Sequence, residues 1–110
     1  MRRGEIWTAA GGSGHAGKPR PVVLVQDDRF DATESVTVCA FTTDATEAPL
    51  IRLRTHPDEV NGLREPSSLM VDRITIVPRA RLGERIGRLG DEDMIRLGRT
   101  MVVFLGLAGE

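Results

Sequence analysis

Pro21 to Gln26 reads PVVLVQ, a continuous apolar, β-branched run of strand length. A proline is tolerated at the first position of a strand, and here it opens the run. Because the run does not alternate with polar residues, both of its faces must be covered, which predicts a central strand. Upstream, Ala10 to Pro19 is broken by Gly11, Gly12, Gly14 and Gly17 and reads as a loop. Before it, Glu5 to Ala9 (EIWTA) sets Ile6 and Thr8 on one face and Trp7 on the other, the period of a short strand.

Downstream, Val36 to Phe41 (VTVCAF) lies between the polar segments Asp27 to Ser35 and Thr42 to Glu47 and predicts a second core strand. Ile51 to Arg54 alternates apolar residues with Arg52 and Arg54, while Ser68 to Val71 and Ile74 to Val77 are short apolar runs separated by Asp72 and Arg73. Pro78 to Leu82 fits one helical turn opened by proline, and Glu84 to Leu89 fits a last short strand. From Asp91 to Leu105 the period changes: Met94, Leu97, Met101 and Phe104 or Leu105 recur at helical spacing. Gly90 or Asp91 can cap this helix, and Asp91, Glu92 and Asp93 complement the positive end of its dipole. The periodic segments place Trp7, Phe41 and Phe104 in the core. Six or seven short strands closed by one C-terminal helix predict a mainly β fold, a small curled sheet or partly open barrel.

The length of 110 residues fits one domain, residues 1 to 110, so any activity sits within it. One cysteine, Cys39, excludes an internal disulfide and a multi-thiolate zinc site. No signal peptide or membrane-spanning run is visible, so a cytoplasmic protein without a membrane partner is expected. A net charge of -1 argues against nucleic-acid binding over the whole surface and leaves room for a local basic groove. Fourteen of the basic residues are arginines, a choice that a GC-rich genome explains as readily as phosphate binding does.

Four segments, Arg3 to Trp7 (RGEIW), Gly17 to Gln26 (GKPRPVVLVQ), Val36 to Thr43 (VTVCAFTT) and Arg81 to Leu89 (RLGERIGRL), together resemble the MazF/PemK toxin pattern. Gly62 and Leu63, Ser68 to Ile74 (SLMVDRI) and Phe104 to Leu107 (FLGL) extend the likeness along nearly the whole chain. Any one motif alone is weak; their joint order carries the resemblance. It implies an SH3-like barrel of the CcdB/MazF/PemK type with a C-terminal helix. It also implies a homodimer, a sequence-selective endoribonuclease acting on single-stranded RNA without a cofactor or metal, and a cognate MazE-like antitoxin.

RNA is cut without a metal when its own 2'-hydroxyl attacks the adjacent phosphorus, so such an enzyme supplies proton handling and charge stabilisation. Arg20 looks like the family's catalytic arginine: its planar, permanently charged fork matches two phosphoryl oxygens. Its plainer reading is a surface salt bridge. Thr42 looks like the family's catalytic hydroxyl, with Thr43 next in register, although a strand-end threonine that caps its own backbone is common. The loop before Arg20 holds His15, able to move a proton near neutral pH, and Lys18, which attracts phosphate. The acidic residue that family members often carry in this loop is missing, which leaves the general base open.

Asp72 matches a family aspartate near the substrate groove, and a salt bridge or turn cap accounts for it equally well. Arg73 follows it, and the second arginine of the usual family pattern is Thr75 here. Arg79, Arg81, Arg85 and Arg88 form a basic cluster opposed only by Glu84, read as a solvated face. His56, beside Pro57 in a polar stretch, is read as surface. Two other functions compete: a non-enzymatic CcdB-like binder of DNA gyrase, and a plain SH3-like interaction module.

Overall fold

A computed structural model of the chain describes residues 1–10 and 18–109. The strands are β1 (Glu5–Ala9), β2 (Arg20–Leu24), β3 (Ser35–Thr42), β4 (Arg52–Thr55), β5 (Ser67–Met70), β6 (Thr75–Pro78) and β7 (Leu82–Arg88). One helix, α1 (Asp91–Phe104), follows. Hydrogen bonding orders the strands β4-β5-β3-β2-β1-β7, all antiparallel, with β6 also on β3. This is the expected fold class, a mainly β, SH3-like small barrel closed by a C-terminal helix.

β2 lies between β1 and β3, as its two-faced apolar sequence requires. Val23 faces the larger of two buried clusters with Ile6, Cys39, Phe41, Leu69 and Leu97. Val22 and Leu24 face the smaller one with Ala9, Val36 and Val38. The pleat of β3 shows the same division: Val36 and Val38 join the smaller cluster, Cys39 and Phe41 the larger. Trp7 is half-buried at the rim of the smaller cluster. Its indole N–H donates to Glu5 Oε1 at 3.0 Å, and Glu5 Oε2 meets Arg85 Nε at 3.3 Å. Much of the RGEIW motif is therefore structural.

One edge of β3 is shared by two strands. Residues Ser35 to Val38 pair with β6, and Phe41 and Thr42 pair with β5. Between β5 and β6 the chain makes a 3-10 turn at Val71–Arg73. Asp72 and Arg73, which separate the two apolar runs in sequence, thus form the bend between them. Val71, fully buried, anchors the bend, and its amide donates to the Ile51 carbonyl at 2.9 Å. The helical turn expected from Pro78 is a 3-10 turn at Arg79–Arg81, after which β7 starts at Leu82, earlier than its apolar pattern suggested.

Leu97 is the one buried residue of α1, flanked by half-buried Met94 and Met101. Phe104 does not join the core: it is 45% exposed, beside Val103 at 62% and Leu105 at 53%. The apolar stripe outruns the cluster it packs on, so the last turn is bare on a single chain. At the other end Gly90 is the N-cap without a side-chain bond, and the acidic triplet occupies the first turn.

The segment after β4 is braced by side chains. Buried Asn61 accepts from the Leu63 amide at 3.0 Å through Oδ1 and donates to the His56 carbonyl at 2.9 Å through Nδ2. Asp58 Oδ1 accepts from the Val60 and Asn61 amides, each at 2.8 Å. This braced loop lies against the β7 backbone, where the Arg88 amide donates to the Val60 carbonyl at 3.0 Å. Gly62 and Gly87 stand where the two backbones meet. Cys39 is fully buried in β3, and burial pushes its thiol up to about 12.

Candidate functional site

The site follows from strand register. β2 and β3 pair as Val22 with Ala40, Val23 with Cys39 and Leu24 with Val38. Extended by two residues, that register sets Arg20 across from Thr42, a step of about 5 Å between neighbouring strands. Arg20 also pairs with Ala9 of β1, and Thr42 with Ser68 of β5, which pairs in turn with Arg54 of β4. One row therefore crosses five strands: Ala9, Arg20, Thr42, Ser68, Arg54. Residues directly opposite in a sheet share a face, so all five lie on the face opposite Phe41 and Leu69, with Ala9 and Ser68 buried and Arg20 and Arg54 exposed.

Within that row Arg20 is exposed, and no carboxylate of the described residues lies in ion-pair range of it. The plainer reading of Arg20 as a surface salt bridge finds no partner there. Half-buried Thr42 accepts a hydrogen bond from the Asp44 amide at 3.2 Å through Oγ1. The local backbone bond expected of a strand-end threonine is thus present, and it leaves the hydroxyl hydrogen free to donate elsewhere. Asp44 Oδ1 accepts from the Thr46 hydroxyl and amide at 2.8 and 2.9 Å. Those bonds, with Arg52 nearby, hold the Asp44 carboxyl below the usual range, so it is a weak proton acceptor.

Asp72 is engaged by Arg52 in a two-pronged pair, Nε to Oδ1 at 2.9 Å and Nη2 to Oδ2 at 3.2 Å. The pair ties β4 to the bend between β5 and β6. Arg52's hydrogen bonds lower the Asp72 carboxyl against a smaller opposing effect of burial. A carboxylate lowered on folding adds stability that is complete above its unfolded value, about 3.9, and is lost as the pH falls through the folded value. Asp72→Asn is therefore expected to lower the urea midpoint at pH 7, with the gap from the parent closing as the pH drops below that range. Midpoints measured across the acid limb check this; a gap independent of pH would refute the pair's role.

Arg73 and Lys18 are exposed and make no side-chain ion pair among the described residues. His15 lies outside the described residues. His56 is exposed, as read from its polar surroundings. The basic cluster is opposed by carboxylates other than Glu84: Arg85 meets Glu5, and Arg88 meets Asp91 at 3.4 Å. Arg79 instead donates to the Thr33 carbonyl. Glu5 comes from β1, remote in sequence, which is why local sequence did not reveal it, whereas Asp91 stands only three residues beyond Arg88. Among the described residues no three His, Cys, Asp or Glu side chains gather as a metal site, and no helix is long and apolar enough to cross a membrane.

Arg52, Arg54 and Ser68 went unnoticed as site residues. The alternation of Ile51 to Arg54 was itself the signal, since it puts both arginines on one face of one strand.

Comparison with known proteins bears on this surface. The family described as "PemK-like, MazF-like toxin of type II toxin-antitoxin system" matches residues 2–105. A protein of Mycolicibacterium smegmatis (strain ATCC 700084 / mc(2)155) named "Probable endoribonuclease MazF" is 57% identical over 109 residues, covering 99% of this chain and 100% of the relative. The Mycobacterium tuberculosis toxin MazF-mt6 superposes with a TM-score of 0.77 at 26% identity, covering 94% of this chain and 97% of that one. An endoribonuclease solved in complex with its cognate antitoxin, from a mycobacterial species, has a TM-score of 0.80 at 20% identity, covering 100% and 99%, and speaks to the fold alone.

Proposed function

The chain belongs to the PemK-like, MazF-like toxin family of type II toxin–antitoxin systems, and from that premise we propose that it is a sequence-selective endoribonuclease cutting single-stranded RNA without a metal. The observation that carries the proposal is the β2–β3 register, paired from Val22–Ala40 to Leu24–Val38 and pointing, when extended, to Arg20 across from Thr42, with the Arg20 guanidinium uncompensated by any described carboxylate.

In the proposed reaction the 2'-hydroxyl oxygen attacks the adjacent phosphorus while the bond to the 5'-oxygen breaks. The products are a 2',3'-cyclic phosphate and a 5'-hydroxyl end. The proton of the 2'-hydroxyl passes to a base, and the departing 5'-oxygen gains one. Arg20 lays two N–H donors on the non-bridging oxygens, where negative charge grows as phosphorus becomes five-coordinate. The Thr42 hydroxyl, its oxygen already accepting from the Asp44 amide, donates to the phosphoryl group or the leaving oxygen. Lys18 and Arg73 draw the substrate backbone toward the row, and His15 precedes Lys18 by three residues in the sequence. Asp72 acts from behind, by holding Arg52 and the bend that carries Arg73.

The proposal includes one toxin domain over residues 1 to 110, a cytoplasmic location, a homodimer and a MazE-like antitoxin. Cytoplasmic residence accords with a buried, unlinked thiol. A second copy accords with the bare apolar residues Val103, Phe104 and Leu105 at the end of α1. An acidic antitoxin tail would compete with RNA for the uncompensated arginines.

The test is cleavage of a single-stranded RNA by purified protein in excess EDTA, with the fragment ends mapped. Cyclic phosphate and 5'-hydroxyl ends at a restricted set of sequences are expected. Intact RNA, or 5'-phosphate ends, would sink the proposal.

A further inference from the structure

We infer that Arg54 binds a phosphate of the RNA strand next to the one being cut, so that the site runs from Thr42 across β5 to the sheet edge; the inference rests on the ribonuclease reading above. Arg54 occupies the far end of the row containing Arg20 and Thr42. From β3 to β4 is two inter-strand steps, about 10 Å, a span that a neighbouring phosphate of an extended strand can bridge with the reach of an arginine side chain.

Charge separates the two arginines of β4. Arg52 is neutralised by Asp72 and lies near Asp44. Arg54 is exposed and has no ion pair among the described residues; its guanidinium makes a single hydrogen bond, from Nη1 to Ser68 Oγ at 3.4 Å. That bond is at the long limit and uses one of five N–H donors, so the outer fork remains open to an anion. Ser68 is buried, so its hydroxyl is a fixed tether that leans the guanidinium toward Thr42's side of the row.

The backbone under Arg54 is held as well. As the edge strand, β4 leaves carbonyls unpaired in the sheet, and Arg96 Nη2 of α1 donates to the Arg54 carbonyl at 2.7 Å while pairing with Asp93 at 3.3 Å. A cation with spare donors, on an anchored strand, in the row of the two proposed catalytic side chains, fits phosphate and no other part of RNA so well.

The experiment uses the full chain and a single-stranded RNA substrate, with cleavage kinetics and binding of a 2'-O-methyl version measured across a salt series. Arg54→Gln preserves a hydrogen bond to Ser68 and removes the charge. It is expected to raise KM about tenfold at low salt. The slope of log affinity against log salt should flatten by about 0.7, the value of one single-strand phosphate contact. kcat and the cleavage sequence should stay as they were. Arg54→Lys should restore most of the slope. A parent protein that leaves RNA intact overturns the ribonuclease reading and this inference with it. A parent that cuts, beside an Arg54→Gln variant with the parent's salt slope or with a lowered kcat alone, overturns the inference only.

Discussion

Arg20→Ala is expected to slow RNA cleavage by about a thousandfold while leaving the thermal midpoint nearly unchanged. The magnitude is that of removing one donor that meets developing charge, about 10²–10³ in rate for a single neutral contact, here strengthened by a full positive charge and two N–H groups. The missing effect on stability follows from the site. Arg20 opens β2 with its side chain in solvent and has no ion-pair partner among the described residues, and such positions usually shift stability by no more than about 0.5 kcal/mol. Arg20→Lys keeps the charge and loses the fork, so an intermediate rate is expected. Initial rates on a defined oligonucleotide, read beside melting curves, give the answer. An Arg20→Ala enzyme within tenfold of the parent would remove the arginine from the chemistry.

Gly62→Ala should unfold the protein or nearly so. The Gly62 backbone has φ +70, where an L side chain is strained, and a methyl group built on it would sit 2.0 Å from the Ile86 carbonyl oxygen. That oxygen belongs to β7, which is held by β1 on one side and by the braced loop on the other, so relief requires the strand and the loop to part. Left-handed strain of about 1 kcal/mol combined with overpacking of about 3 kcal/mol removes a large share of a stability of about 5–15 kcal/mol. A fall in melting temperature of roughly 15 °C, or failure to accumulate as soluble protein, is the expected result. Gly90→Ala is the control, since a methyl group there meets nothing within 4 Å. Equal melting of the two variants would mean that the loop yields.

The architecture was legible where burial leaves a local signature. PVVLVQ reads as central because a strand packed on both faces cannot alternate, and it lies between two neighbours with Val23 in one cluster and Val22 in the other. The period of Met94, Leu97 and Met101 marks the helix because one face meets the core. Local signatures fail where the partner is remote. Ser68 to Val71 and Ile74 to Val77 read as two runs parted at Asp72, but nothing local says that both pair with one edge of β3. Phe104 continues a helical stripe, but the stripe does not say where the surface beneath it stops. The alternation of Ile51 to Arg54 sets Arg52 and Arg54 on one face, but only the pairing of β4 with β5, and of β5 with β3, aligns Arg54 with Thr42. Arg20 and Thr42 were proposed through family likeness alone; their common row is a property of register that no local pattern encodes.

The chain's lone thiol is sealed in the central strands, and burial keeps it protonated at neutral pH. Peroxide and electrophilic stress act on thiolates that they can reach, so this toxin has no cysteine fuse to blow. An oxidising shock would pass over Cys39, so any thiol-based coupling between such a shock and the protein's activity has to run through other molecules.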